Sequence, residues 1–290
     1  MLSTVSNRYA EATINNLGAE LISLKLLSCN IEFMWNVNEK IWERHSPVLF
    51  PIVGKLKDDF YKFNGNSYKL NQHGFARDSK FKISKKGKDL ITYSLQYDND
   101  SLNMFPFMFK LEITYLLERN RLTISYKIYN IDSKTMWFSI GAHPGLKCPF
   151  SRHEKFTDYY IEFEKEERAF RYFLENSLLS GKREMILDNA KILQLDPVLF
   201  RDDAIILKDL KSKSLSLKSM SSPHKITVDL GNFPYLGLWM KPEFPFFICI
   251  EPWFGLADKH DCSGLLQEKE GILSLEPAKS FECSYSIIIE

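Results

Sequence analysis

Little in this sequence points to charge, metal or membrane. Its 38 basic and 37 acidic side chains leave a net charge of +1. So even a balance creates no global field to recruit nucleic acid or an anionic bilayer. The five cysteines, Cys29, Cys148, Cys249, Cys262 and Cys283, are odd in number, and no two form a Cys-x-x-Cys pair. That argues against a disulfide framework and against a structural zinc site. No apolar run reaches bilayer-spanning length, and Met1 to Ala10 carry no apolar signal core. The expectation is a reduced, cytoplasmic chain with no membrane or nucleic-acid partner. No His-Glu-x-x-His, P-loop, Gly-x-Gly-x-x-Gly or Gly-x-Ser-x-Gly pattern occurs. Asp98-Asn99-Asp100 lacks the other positions of a calcium loop. No metal and no cofactor are therefore expected.

Helical periodicity is also scarce. Phe170 to Leu179 can hold one short helix, with Gly181 as its C-cap. Period-two alternation, by contrast, recurs from end to end. Leu111, Ile113, Tyr115 and Leu117 share one face, and Leu122, Ile124, Tyr126 and Ile128 share the next. Asn120-Arg121 between them reads as a hairpin turn. Further alternating stretches run from Ala12–Ile14 to Phe281–Ile288. Phe and Tyr, numbering 22 and 13, favour strands. Lys208, Lys211, Lys213 and Lys218 read as the solvated face of a hairpin. No linker or repeat interrupts the pattern, so residues 1–290 are read as one all-β domain, a sandwich or barrel.

Three segments differ from ordinary strand and loop. They are Pro47 to Lys80, Ser139 to Pro149 and Phe246 to Asp258. In the last, Glu251 ends the run Phe246-Phe247-Ile248-Cys249-Ile250 and precedes Pro252. A carboxylate so placed loses water, which raises its pKa toward a general base; a structural ion pair is the plainer reading. His143 follows Ile140-Gly141-Ala142 and precedes Pro144. The small residues leave room for a ligand beside the backbone, and imidazole exchanges protons near neutrality; a satisfied core histidine is the alternative. His73 and Arg77, four residues apart, can address one oxygen-rich ligand, or Arg77 can simply pair with Asp78. His45, His153, His224 and His260 lie in polar contexts and read as surface residues.

Taken in order, "INNLGAELISLKL", "PVLFPIVGKLKD", "QHGFARD", "IGAHPG" and "CIEPWFGLAD" resemble the aldose 1-epimerase (galactose mutarotase) family, and within it the LacX-like branch. The resemblance covers nearly the whole chain. It implies a large antiparallel β-sandwich whose concave face holds a sugar. It implies roles for Glu251 as catalytic base, His143 as catalytic acid and His73 as an assisting residue. It implies that Asp203, or Asp202 after a slip of one, binds the sugar. Lys55 stands where most relatives carry Arg, which loses the planar fork of the guanidinium. Leu146 stands where relatives often carry Phe.

The expected activity is interconversion of the two anomers of a hexose, with Lys55, Arg77 and Asp203 binding substrate and no cofactor. Trp253 or Trp239 is a candidate to lie against the sugar's C–H face. Two alternatives share the scaffold. One is a hexose-6-phosphate epimerase, with Arg77 and Lys55 on the phosphate. The other is a sugar-binding protein without catalysis.

Overall fold

Alternation of apolar and polar residues sets the strands. In Phe109–Glu118 the residues Phe109, Leu111, Ile113, Tyr115 and Leu117 are buried and their neighbours are not. Arg121–Asn130 repeats this with Leu122, Ile124, Tyr126 and Ile128. The pair is antiparallel, with Glu118 opposite Arg121. The turn is therefore Arg119-Asn120, one residue earlier than expected. Arg121 belongs to the ladder, and its guanidinium reaches Asp229 at 3.1 Å.

The computed structural model describes all 290 residues. Leu2–Ser6, Ala10–Asn15, Glu20–Leu26 and Ile31–Glu32 form a four-stranded sheet. It packs against part of a 15-stranded antiparallel sheet. A cluster of 66 buried side chains joins them and continues through the large sheet; Val5, Ile14, Leu24, Tyr93, Ile113 and Tyr115 belong to it. Burying a Leu, Ile or Phe contributes about 1.5–3 kcal/mol each, so this layer dominates stability. The architecture is an all-β antiparallel sandwich. Its five cysteines are free. Its one α-helix, Asn99–Met104, is capped by Asp98, whose side chain accepts the Ser101 N–H. No helix is long and apolar enough to cross a membrane.

The helix expected over Phe170 to Leu179 does not form. Tyr159–Glu175 is one continuous strand, and Leu178–Gln194 returns along it. Asn176 and Ser177 make the turn, both at positive φ (51° and 65°), as a two-residue hairpin requires. Phe170, Tyr172 and Leu174 keep period two while Phe170, Phe173 and Leu174 keep a helical spacing, and strand pairing decides between them. Gly181 lies inside the return strand instead of ending a helix. The lysines from 208 to 218 do not share a hairpin either. Ile205–Lys208 and Ser214–Ser219 each pair with Tyr159–Glu175, not with one another. Lys208 and Lys218 are held by Glu270 and Glu162.

One strand positions the site. Phe247–Phe254 pairs with Tyr235–Trp239 on one side. On the other side it pairs with two short strands in turn, Ile140–Ala142 and Gly145–Lys147. Ile248 and Ile250 face the main core. Phe247, Cys249, Glu251 and Trp253 point the opposite way, because successive strand residues alternate faces.

Asp258, just past this strand, ties the surrounding loops. Its N–H donates to the Lys55 carbonyl and its own carbonyl accepts the Leu179 N–H, both at 2.8 Å. Its carboxylate accepts the Lys57 N–H at 3.0 Å and the Lys269 ammonium at 2.8 Å. Burial pulls the Lys269 amine below its usual value, and the Asp258 charge opposes this. Removing one partner strands the other charge in dry surroundings. K269M is therefore expected to cost about 3–5 kcal/mol in urea unfolding. A loss under about 1 kcal/mol would mean that the pair behaves as an exposed one.

Candidate active site

A cavity of about 320 Å³ opens over the Glu251 face of the sheet. That is the low end for a small-molecule pocket, roughly 300–1,000 Å³. Glu251, His143, His73, Arg77 and Asp203 all line it. Five of the six side chains singled out in the sequence thus come together from distant segments. Lys55 does not. Its neighbour Gly54 lines the cavity, and Lys55 itself is not part of the wall. Gly54 sits at φ 74°, and a Cβ there would fall 2.6 Å from the Ala257 backbone. The chain therefore shows bare backbone to the cavity at Gly54 and has passed it by Lys55.

The geometry of His143 and Glu251 follows from strand register. Gly141 faces Trp253 and Gly145 faces Cys249. The same register runs through both, which sets His143 directly opposite Glu251. Pro144 and Pro252 each lack a donor N–H, so the ladder is interrupted here. What remains is the 3.3 Å bond from the Ile250 N–H to the Pro144 carbonyl. The two side chains leave on the same face, and His143 Nε2 lies 3.2 Å from Glu251 Oε2. The contact is close but poorly aligned. Glu251 Oε2 and His143 Nδ1 each lack a hydrogen-bond partner. Glu251 is 1% exposed and His143 9%. Burial pushes Glu251 well above the usual carboxylate range, and the Asp203 charge adds to this. Burial, with Arg77 and Arg44 nearby, holds His143 down to about 3. Burial thus favours the neutral form of both groups.

The small residues around His143 serve a purpose other than the one expected. The space beside Gly141 is filled by Trp253, Val53 and Leu49, and that beside Gly145 by Trp42 and Trp35. They make room for tryptophans, not for a ligand. Trp253 also lies across Gly237, where a Cβ would meet the ring at 2.4 Å. Trp253, Trp239 and Trp42 line the cavity. Trp42 stacks on the His143 ring, centroids 5.1 Å apart and 29° from parallel. Trp42 and Lys241 went unnoticed in the sequence. Trp42 sits in a loop with no motif, and Lys241 follows an apolar run as Glu251 does.

His73 is held as one tautomer. The Gly54 N–H donates to its Nδ1 at 3.1 Å, so the neutral ring carries its proton on Nε2, which faces the Gln72 side-chain amide at 3.3 Å. It can donate to a bound oxygen but not readily take a second proton. Burial lowers its pKa well below the ordinary value, and His143, Arg77 and Arg44 lower it further. Arg77 donates to the Gln72 carbonyl at 2.8 Å and stands 3.8 Å from Asp78. Of the two adjacent acids, Asp203 lines the cavity while Asp202 pairs with Arg171 at 3.3 Å. Asp203 has φ 73° and accepts the Ala204 N–H at 2.8 Å. Its residue surface is open at the cavity mouth, yet desolvation of the carboxyl raises its pKa.

Among the other histidines, His153 and His260 are exposed, whereas His45 and His224 are half-buried. A second cavity of about 250 Å³ lies beside Asp258 and Lys269. Its two buried charges, Asp258 and Lys269, are spent on one another. The sequence showed no metal motif. In the fold, one ligand atom from each of His143, Cys249 and Glu251 lies within 4.8 Å of the others. His143 is far from the other two in sequence, so no local pattern marks the group.

Comparison with known proteins gives a consistent picture. Residues 1–270 match the family model for aldose 1-epimerase. The plasmid and chromosomal LacX proteins of Lactococcus lactis subsp. lactis are each 32% identical, covering 100% of this chain and 99% of theirs. The structure of a galactose mutarotase related enzyme from Lactobacillus acidophilus superposes with TM-score 0.96 at 34% identity, covering 100% of this chain and 97% of that one. A galactose mutarotase-like protein from Lactobacillus casei ATCC 334 gives 0.94 at 30% identity, with full coverage of both chains.

The buried histidines make stability depend on acid. Below pH ~6.5 an unfolded histidine takes up a proton, while folded His73 refuses it. Folded His73 binds fewer protons, so stability falls as pH drops through that window. In H73N the amide can still accept the Gly54 N–H. Its unfolding free energy should lose less on acidification, by up to about 1.4 kcal/mol per pH unit. Equal slopes for H73N and wild type between pH 7 and 5 would mean that His73 is solvated.

Proposed function

The chain belongs to the aldose 1-epimerase family, and on that premise we propose that it interconverts the α and β anomers of a hexose by opening and reclosing the ring. The observation that carries this reading is the 3.2 Å approach of His143 to Glu251 on the floor of one cavity. A hemiacetal bears O1 and O5 on the same carbon. An acid and a base that act on both must stand side by side.

The sugar's hydroxyls replace water around the pair and draw its single proton to His143. Glu251, now a carboxylate, removes the proton from O1. The O1–C1 bond becomes a carbonyl, the C1–O5 bond breaks, and O5 takes the proton of His143. Rotation about C1–C2 turns the other carbonyl face toward O5. His143 then withdraws the O5 proton, O5 attacks C1, and Glu251 returns its proton to O1. Protons and bonds balance over the cycle. The Arg77 guanidinium and the Asp203 carboxylate orient hydroxyls by charge-assisted hydrogen bonds, and the neutral His73 Nε2–H adds an ordinary one. The tryptophans offer apolar surface to the C–H face.

A hexose 6-phosphate is the second reading. Its support is that two cations, Arg77 and Lys241, line the cavity, as phosphate recognition favours. Lys55, the second phosphate ligand expected from the sequence, is outside the wall.

Anomer exchange followed by NMR on free and 6-phosphorylated hexoses tests both readings. The free sugar should exchange faster with enzyme. E251Q should reduce kcat by about 10²–10⁴-fold with little change in KM, the usual worth of one acid or base. Faster exchange only of the 6-phosphate, lost in K241M, would select the second reading. Sugar binding without faster exchange would leave a binding protein. Burial holds His143 down to about 3 and raises Glu251, so the pH profile should show no limb at the ordinary histidine value of about 6.5. An acid limb near 6.5, the ordinary histidine value, would contradict this.

A further inference from the structure

At the floor of the cavity, and just beneath it, lie side chains that ligate metals: His143 and Glu251 line the wall, and Cys249 is buried behind it beside Trp35 and Phe247. Cys249 and Glu251 stand two residues apart on one strand, so both leave on the same face. His143 meets them from the neighbouring segment. One ligand atom from each residue lies within 4.8 Å of the others. Tetrahedral zinc, with bonds of about 2.0–2.3 Å, sets its ligand atoms roughly 3.3–3.6 Å apart. The His143–Glu251 separation of 3.2 Å already fits. The thiol has to move in by about 1 Å at most.

Two further observations point to a ligand. Cys249 is 0% exposed and Glu251 1%, yet Glu251 Oε2, the atom that faces His143 Nε2, has no hydrogen-bond partner. Buried polar atoms left so cost about 1–3 kcal/mol each. Charge is the second. A divalent cation with one thiolate, one carboxylate and one neutral imidazole is electroneutral, which a dry floor tolerates despite Arg77 and Lys241 on the walls. The cavity leaves a fourth position for water, as in three-ligand zinc sites.

We propose that His143, Cys249 and Glu251 form a site for a borderline-soft divalent cation such as zinc, and that filling it shuts off the acid–base pair. The cation takes one lone pair from each residue. The Cys249 thiol proton and the proton shared by His143 and Glu251 pass to water. With imidazole and carboxylate both coordinated, neither can exchange a proton with a sugar, so metal and sugar compete. The shut-off rests on the acid and base roles proposed above; the binding does not.

Cobalt(II), titrated into the reduced full-length protein, tests the site without any sugar. A near-ultraviolet thiolate-to-cobalt band should grow to one equivalent, and zinc should bleach it. C249S should lose the band, with C249V as the apolar replacement where the serine does not fold. C262S should keep it. In the active enzyme, zinc should raise the apparent KM for sugar without changing kcat, and EDTA should reverse this. No band, or a band that survives both Cys249 replacements, overturns the site. A band without zinc inhibition in an active enzyme overturns the shut-off. A protein that turns over no sugar fails the proposed function, and the cobalt band still decides the site.

Discussion

The structure depends on one cross-strand pair. His143 and Glu251 face each other across a ladder that two prolines interrupt, and they do so inside a sheet. Antiparallel pairing alone brings opposite residues to within side-chain contact on one face. Here it brings an imidazole and a carboxylate to 3.2 Å. Neither finds the partner that would make it a settled structural ion pair. A pair held in register by the backbone but left unsatisfied is ready to bind something. The other face of the same strand, through Ile248 and Ile250, is locked into the main core, so the pair cannot drift.

The surroundings keep that pair dry without closing it off. Gly141, Gly145 and Gly237 admit tryptophan rings where side chains of their own would collide. Trp42 covers the imidazole and Trp253 lies beside the carboxylate. The Gly54 N–H fixes the His73 tautomer. Asp258 ties the Lys55–Lys57 segment, the start of the Leu178–Gln194 strand and Lys269 together through four hydrogen bonds. Each element restricts water or rotation near the pair, which is how a scaffold shifts pKa values and prepares an acid and a base together.

Much of this was legible in the residues. The alternation that marks Phe109–Glu118 and Arg121–Asn130 is the cause of those strands, so it read directly. Glu251 after an apolar run was recognisable as desolvated. What could not be read was orientation across space. Nothing local shows that the glycines near His143 answer to tryptophans far along the chain, or that Trp42 stacks on the ring. Lys55 carried the right charge in a motif, but the turn at Gly54 removes it from the wall. Asp202 and Asp203 were indistinguishable until Arg171 engaged one of them. Phe170 to Leu179 fitted two periods, and only a partner strand could choose. The grouping of Cys249 with His143 is a product of register, with no motif to announce it.

The central claim is that this pair flanks a single hemiacetal. A crystal structure with a hexose bound tests it most directly. O1 should lie about 2.6–3.2 Å from the Glu251 carboxylate and O5 at the same distance from His143 Nε2. A sugar seated with its anomeric carbon turned away from both residues, or bound outside this cavity, would contradict the account.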